Sequence, residues 1–216
     1  MKIVIQCAAA KYSYAGRMKN KDGKNILFIA NPDLVEPQDN YIYQKPEDLA
    51  EDGLSWRKKL LQYNEQDSNP LNLLPAYKLY MNDTYKKLVD KYGKCNVFIL
   101  SAGWGLINAE FLTPSYDITF SSSADKYKKR KKSDNYHDFC FLPSDMDDDL
   151  IFLGGKDYLA LFDKLTERYR GKRIVFYNSK YRPTLDRCEL IYYKSTTRTN
   201  WHYECAKKII NGDIAL

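Results

Sequence analysis

The chain has 216 residues, 44% of them hydrophobic and 29% charged, with 34 Lys and Arg against 28 Asp and Glu for a net charge of +6. This length suits one domain with room for a decorating insertion; the apolar share excludes wholesale disorder, and no apolar run approaches the roughly 20 residues that span a bilayer. The opening apolar stretch is too short for a signal peptide and the positive balance permits a polyanionic partner, so the expectation is a cytoplasmic monomer with no membrane association.

Lys2–Gln6 (KIVIQ) is the first of six short runs rich in β-branched and aromatic residues, followed by Ile26–Ala30, Val97–Leu100, Leu150–Leu153, Ile174–Tyr177 and Leu190–Tyr193. Most lack polar–apolar alternation, as strands covered on both faces do. After the second run, residues 31–74 turn polar, carry Pro32, Pro37, Pro46 and Pro70, and hold one helix candidate around Ser55–Tyr63; they read as an insertion or a loose subdomain. Tyr77–Tyr92 shows helical spacing and ends at Gly93, a fitting C′ residue. Residues 121–149 carry a basic run followed by an acidic one and read as a long mobile loop. Lys156–Arg170 repeats the helical pattern up to Gly171, and a last helix is expected from Thr199 to Ile210, before Gly212. Strands alternating with helices predict a single domain over residues 1–216, an α/β three-layer sandwich with a mostly parallel central sheet. Its site belongs at the carboxyl ends of the strands.

Five constellations there can carry chemistry. The loop Gln6–Tyr12 has small residues that let a ligand approach the backbone, with Cys7 at its start and Lys11 as an anion partner or nucleophile; a plain turn with a solvated lysine is the alternative. Next, Ser101 ends a buried run, and Gly103 and Gly105 flank Trp104 so that the chain can bend around a planar ring. Tyr116 and Asp117 follow behind Pro114, and a carboxylate there would steady a cationic sugar or orient water; a turn with a capping aspartate explains the same residues. Third, Gly154 and Gly155 before Lys156 and Tyr158 make a nest for a phosphate or carbonyl oxygen, or an ordinary strand-to-helix turn. Fourth, Arg198–Tyr203 concentrates hydrogen-bonding side chains: Asn200 and His202 would hold or protonate a leaving base, Trp201 and Tyr203 would stack on it, and Arg198 would meet a backbone. Last, Lys126, Lys128, Lys129, Arg130, Lys131 and Lys132 put six cations in seven positions, a solvated run or a phosphate-binding one.

Cys7, Cys95, Cys140, Cys188 and Cys205 are odd in number and scattered, and only His137 and His202 offer imidazoles, so neither a metal nor another cofactor is expected.

Four of these motifs together resemble a known family: C-x-x-x-K at Cys7 and Lys11, L-P-A-Y-K-L-Y at Leu74–Tyr80, L-S-A-x-x-G-L at Leu100–Leu106, and P-x-Y-D at Pro114–Asp117. They are similar to small proteins related to the peroxide-stress YaaA proteins and to the lysine-transferring domain of archaeosine synthase, close to the uracil-DNA-glycosylase-like α/β superfamily. They are also suggestive of antiphage glycosylases that remove glucosylated hydroxymethylcytosine. The resemblance implies a uracil-DNA-glycosylase-like fold and site positions at Cys7, Lys11, Ser101, Gly105, Tyr116 and Asp117. Trp104 departs from the lysine and tyrosine that relatives carry before this glycine, and the uracil-glycosylase signatures G-Q-D-P-Y-H and H-P-S-P-L-S are absent.

The expected function is therefore DNA glycosylase activity on a flipped modified base, in antiviral defence, with Asp117 as charge stabiliser or water activator, His202 on the departing base, and Trp104, Trp201 and Tyr158 walling the pocket. DNA is the expected partner. Two alternatives accompany it: a transferase acting on a 7-deazaguanine in tRNA or DNA, and a non-catalytic nucleic-acid-binding module.

Overall fold

Apolar runs too short for helices, bounded by turn residues, form the strands of this protein. In chain order these are β1 (Lys2–Gln6), β2 (Asn25–Ile29), β3 (Tyr41–Gln44), β4 (Leu74–Pro75), β5 (Val97–Ser101), β6 (Gly105–Asn108), β7 (Leu112–Thr113), β8 (Tyr116–Asp117), β9 (Phe139–Cys140), β10 (Leu150–Leu153), β11 (Arg173–Tyr177) and β12 (Cys188–Tyr192). The helices are α1 (Trp56–Asn64), α2 (Ala76–Leu79), α3 (Thr84–Tyr92), α4 (Leu159–Thr166) and α5 (Trp201–Asn211). The structure is a computed structural model and describes residues 1–195, 197 and 199–214.

Seven strands form the central sheet in the order β12-β11-β10-β1-β5-β6-β9. All neighbours run parallel except β5 and β6, which form a hairpin with Ser101 opposite Gly105. Helices α3 and α5 pack against each other and against β1, β5 and β10, while Phe162 of α4 stacks on Phe152 of β10 with ring centroids 4.5 Å apart. The result is a mixed α/β fold on a mostly parallel sheet. β1 sits between β5 and β10, so the chain crosses to one side of β1 first and to the other side later. Strand order reverses there, and a crevice opens at the carboxyl ends of the flanking strands.

Three expectations about organisation need correction. The run at Ile26–Ala30 is not in the central sheet: β2 pairs with β3 and β8 in a second, three-stranded parallel sheet, because Phe28 faces Trp104 and Trp56 beneath it. That pairing sets Ile29 beside Asp117 and fixes where this acid stands. Residues 31–74 are no loose subdomain, since Trp56, Leu60, Tyr63 and Leu73 are buried in the same core as the central strands. Ser55 caps α1 by accepting from the Lys58 N–H, and Arg57, the second residue of the helix, donates to the carbonyls of Gly103 (2.8 Å) and Trp104 (2.9 Å). Finally, the 121–149 segment is pinned at several points: β9 pairs with β6, Arg130 is buried against Asp138, and the Ala30 and Asn31 N–H groups donate to the Tyr127 carbonyl.

The helix expected over Tyr77–Tyr92 is two helices. Asn82 Oδ1 accepts from the Thr84 N–H at 2.9 Å, a side-chain turn that restarts the helix, while Tyr80 is extended and bridges to Lys11. The helix expected over Lys156–Arg170 is shorter at both ends, with a 3-10 turn at Lys156–Tyr158 leading into α4 and α4 ending at Thr166, while α5 starts and ends slightly later than expected and is capped by Gly212 in the left-handed region. Among the described residues, no helix is long and apolar enough to cross a membrane.

Candidate functional site

The crevice at the strand-order reversal is a cleft of about 540 Å³, within the size range of small-molecule sites. Its walls come from the loop after β1, from β8 and the chain beyond it, from Lys128, from the turn after β10 and from the first turn of α5. Lys11, Asp117, His202, Cys7, Gly155, Tyr158, Asn200, Trp201 and Tyr203 all line it, so residues almost 200 positions apart in the chain meet in one place.

Lys11 lies low in the cleft. Its Nζ sits 4.1 Å from the Tyr116 ring centroid and donates to the Ala8 and Ala9 carbonyls at 3.4 and 3.3 Å. Burial of the amine lowers its pKa, opposed by the fields of Cys7 and Asp117. Beneath it runs a chain of buried hydroxyls: Ser101 donates to Tyr116 Oη at 2.8 Å, which in turn lies 2.9 Å from Tyr80 Oη. Cys7 Sγ lies 3.2 Å from Tyr158 Oη, and Tyr85 bridges Tyr203 Oη (2.9 Å) to the Gln6 carbonyl (2.8 Å). Burial raises the pKa of Tyr80, Tyr85, Tyr116 and Tyr158 well above the phenol value and that of Tyr203 to about 12. These phenols are neutral at physiological pH.

Asp117 stands at the rim in an ion pair with Lys128 (3.0 Å), which also reaches Asp125 at 3.3 Å. The hydrogen bond to Asp117 is the main reason that the Lys128 pKa is raised. Across the cleft, His202 is 4% exposed, its ring 4.0 Å from that of Tyr203, and its Nε2 has no hydrogen-bond partner. Burial pushes its pKa down to about 4, so the ring is neutral at pH 7. A neutral imidazole buried in this way speaks against the expected role of protonating a leaving base and leaves hydrogen bonding as what the ring can offer.

Other expected site residues shape the cleft from behind or are committed to packing. Trp104 is fully buried, packed edge-on against Phe28 (5.0 Å) and Tyr116 (6.4 Å), and does not line the cleft; the turn at residues 103–104 is held by Arg57. Ser101 is buried too, its Oγ accepting from the Gly103 and Trp104 N–H groups, and so shapes this turn from below. Gly105 has φ +92°, and an added Cβ would fall 2.4 Å from the Phe139 carbonyl oxygen, so the β5–β6 hairpin and β9 demand glycine. Tyr116 serves from beneath, as the ring under Lys11. At Gly154 a Cβ would meet the Phe152 ring at 2.4 Å, and the Gly155 N–H is already taken by Gln6 Oε1 at 2.6 Å; the glycine pair is a packed turn rather than an open nest.

Within the basic run, Arg130 is corrected from a backbone-binding cation to a core residue. It makes two hydrogen bonds to the Asp138 carboxylate, at 2.8 and 2.6 Å, and one to the Ala102 carbonyl. Lys126, Lys131 and Lys132 are exposed, Lys129 is half-buried, and Lys128 is the member that enters the cleft. Arg198 lies outside the described residues. Compared with family models, curated proteins and solved structures, the chain finds no match.

Sequence reasoning missed Gln6, whose side chain fastens the turn after β10 to β1, and Tyr85, which supports Tyr203. Gln6 carried a signal as the last residue of the first strand; Tyr85, inside a helical stripe, carried none. Among the described residues, no three His, Cys, Asp or Glu side chains come together as a metal site would need.

Proposed function

We propose that the cleft receives one nucleotide turned out of a DNA strand and cleaves its N-glycosidic bond, as a glycosylase for a modified base such as glucosylated hydroxymethylcytosine in phage DNA. The observation that carries this reading is the convergence of a carboxylate, a desolvated amine and a neutral, unpartnered imidazole on one cleft at the strand-order reversal. The motif resemblance supports it, and supports a uracil-DNA-glycosylase-like fold.

In this scheme a phosphate of the entering nucleotide competes for Lys128 and frees Asp117, which now bears an uncompensated negative charge. As the C1′–N bond breaks, its electron pair leaves with the base and positive charge builds on the sugar, where Asp117 stabilises it. A water oxygen bonds to C1′ and its proton passes to the carboxylate. His202 and Asn200 hydrogen-bond the departing base, Trp201 and Tyr203 flank it, and Lys11 holds a substrate oxygen from below.

The test is incubation with unmodified, hydroxymethylated and glucosylated DNA, followed by quantification of abasic sites. Abasic sites in modified DNA are the expected result. Tight DNA binding with no abasic site on any of the three would replace the enzyme by a binding module.

A further inference from the structure

Beside the cleft lies a second, larger hollow of about 1180 Å³, and the two share Gly155, Asp157 and Trp201 as a common wall. It is formed beyond the carboxyl ends of β10 and β11, chiefly by the 177–185 loop. Four cations line it, Lys132, Lys156, Lys180 and Arg182, and all four are exposed. Among the described residues none of them is in an ion pair. Of the two acids present, Asp163 is tied to Arg173 at 2.9 Å, and Asp157 stands at the junction with the cleft. Tyr181 is 77% exposed in the same loop. The Lys180 amine lies 5.4 Å from the Tyr181 ring centroid, so a ring and a cation stand side by side at the edge of the hollow, the composition that holds a single strand: cations along the phosphates, rings against the bases.

We propose that this groove binds the single-stranded nucleic acid continuous with the nucleotide in the cleft, so that Lys180 and Arg182 contact phosphates, Tyr181 stacks on a neighbouring base, and the strand enters the cleft past Trp201. The assignment rests on the glycosylase reading of the cleft for its direction, and it makes the substrate a strand already separated from its complement. A duplex would need its partner strand accommodated as well, in a hollow lined by four cations and one exposed aromatic ring.

The experiment measures fluorescence anisotropy of a fluorescein-labelled 12-nucleotide single strand, titrated at several salt concentrations with the intact protein and with Tyr181→Ala, the double variant Lys180→Ala/Arg182→Ala, and Lys94→Ala. Lys94 precedes β5 and so sits at the opposite ends of the strands. Tyr181→Ala is expected to weaken binding about tenfold or more. The double variant is expected to flatten the plot of log affinity against log salt by about 0.7 for each phosphate no longer neutralised, and Lys94→Ala is expected to change neither. Equal affinity and slope in all four proteins would overturn the groove, as would tighter binding of the matching duplex. If the groove variants lose affinity while no DNA yields abasic sites, the glycosylase reading fails and the strand-binding groove stands. If base release persists with unaltered oligonucleotide binding, the reverse holds.

Discussion

His202 is buried in the wall of the cleft, and its burial makes a measurable demand on folding. In the unfolded chain the ring titrates near its ordinary value of 6.5, whereas in the folded protein burial holds it at about 4. Between those values the unfolded state binds a proton that the folded state refuses, so stability rises with pH across this window and is lost as pH falls from 6.5 toward 4. At 1.36 kcal/mol for each pH unit, that gap amounts to roughly 3 kcal/mol, a large part of the ~5–15 kcal/mol that holds a domain together. Replacing His202 by Phe keeps a ring beside Tyr203 and removes the titration. Urea unfolding from pH 7.5 to pH 4 should then show the wild-type protein losing about 3 kcal/mol more than His202→Phe, with the two within about 1 kcal/mol of each other at pH 7. Parallel curves, or an imidazole that titrates above pH 6 by NMR in the folded protein, would refute the burial argument and restore the ring as a candidate acid.

Asp117→Asn should lower base release by about a hundredfold or more, read as single-turnover abasic-site formation. It should cost less than about 1 kcal/mol in stability, because the Lys128 pair is partly exposed; full activity would remove Asp117 from the mechanism. Arg130→Met should destabilise by about 3–5 kcal/mol in urea unfolding, since it strands the Asp138 carboxylate, whose side chain is 1% exposed. Sodium borohydride with DNA carrying an abasic site should trap no covalent adduct, because Lys11 Nζ is held by two carbonyls and the Tyr116 ring. An adduct that Lys11→Ala abolishes would instead assign a Schiff-base lyase.

The strands were legible where both faces are covered: β1, β5, β10 and β11 are continuous apolar runs with almost fully buried patterns. β2 has a similar composition, and nothing local distinguishes the sheet that a strand joins; its partners lie at Tyr41–Gln44 and Tyr116–Asp117, far along the chain. β4, β7, β8 and β9 have two residues each, below the length at which periodicity carries information. That Lys11 and Asp117 would line the cleft was readable because strand-end position narrows where such a cleft can open. The place of Trp104 was not. An aromatic between two glycines suits a pocket wall as well as a core plug, and the deciding contact is the Arg57 guanidinium on carbonyls 46 and 47 residues away.

The charge economy of the cleft follows from what surrounds it. The buried phenols are held neutral, and so is the imidazole of His202. The aromatic wall that would receive a base is therefore hydrogen-bonding but uncharged, while Lys11, Asp117 and Lys128 concentrate charge on the side that would receive sugar and phosphate. A neutral wall suits a modified base, whose added groups bring hydroxyls rather than ions. It also means that a change in pH between 5 and 8 alters the His202 side of the site little, and that in the proposed mechanism the availability of Asp117 would depend on how firmly Lys128 holds it. An ion pair at a half-exposed rim is weak enough for an incoming phosphate to open. In the proposed mechanism the acid is thus paired with Lys128 until the substrate whose bond it would help to break draws that lysine away.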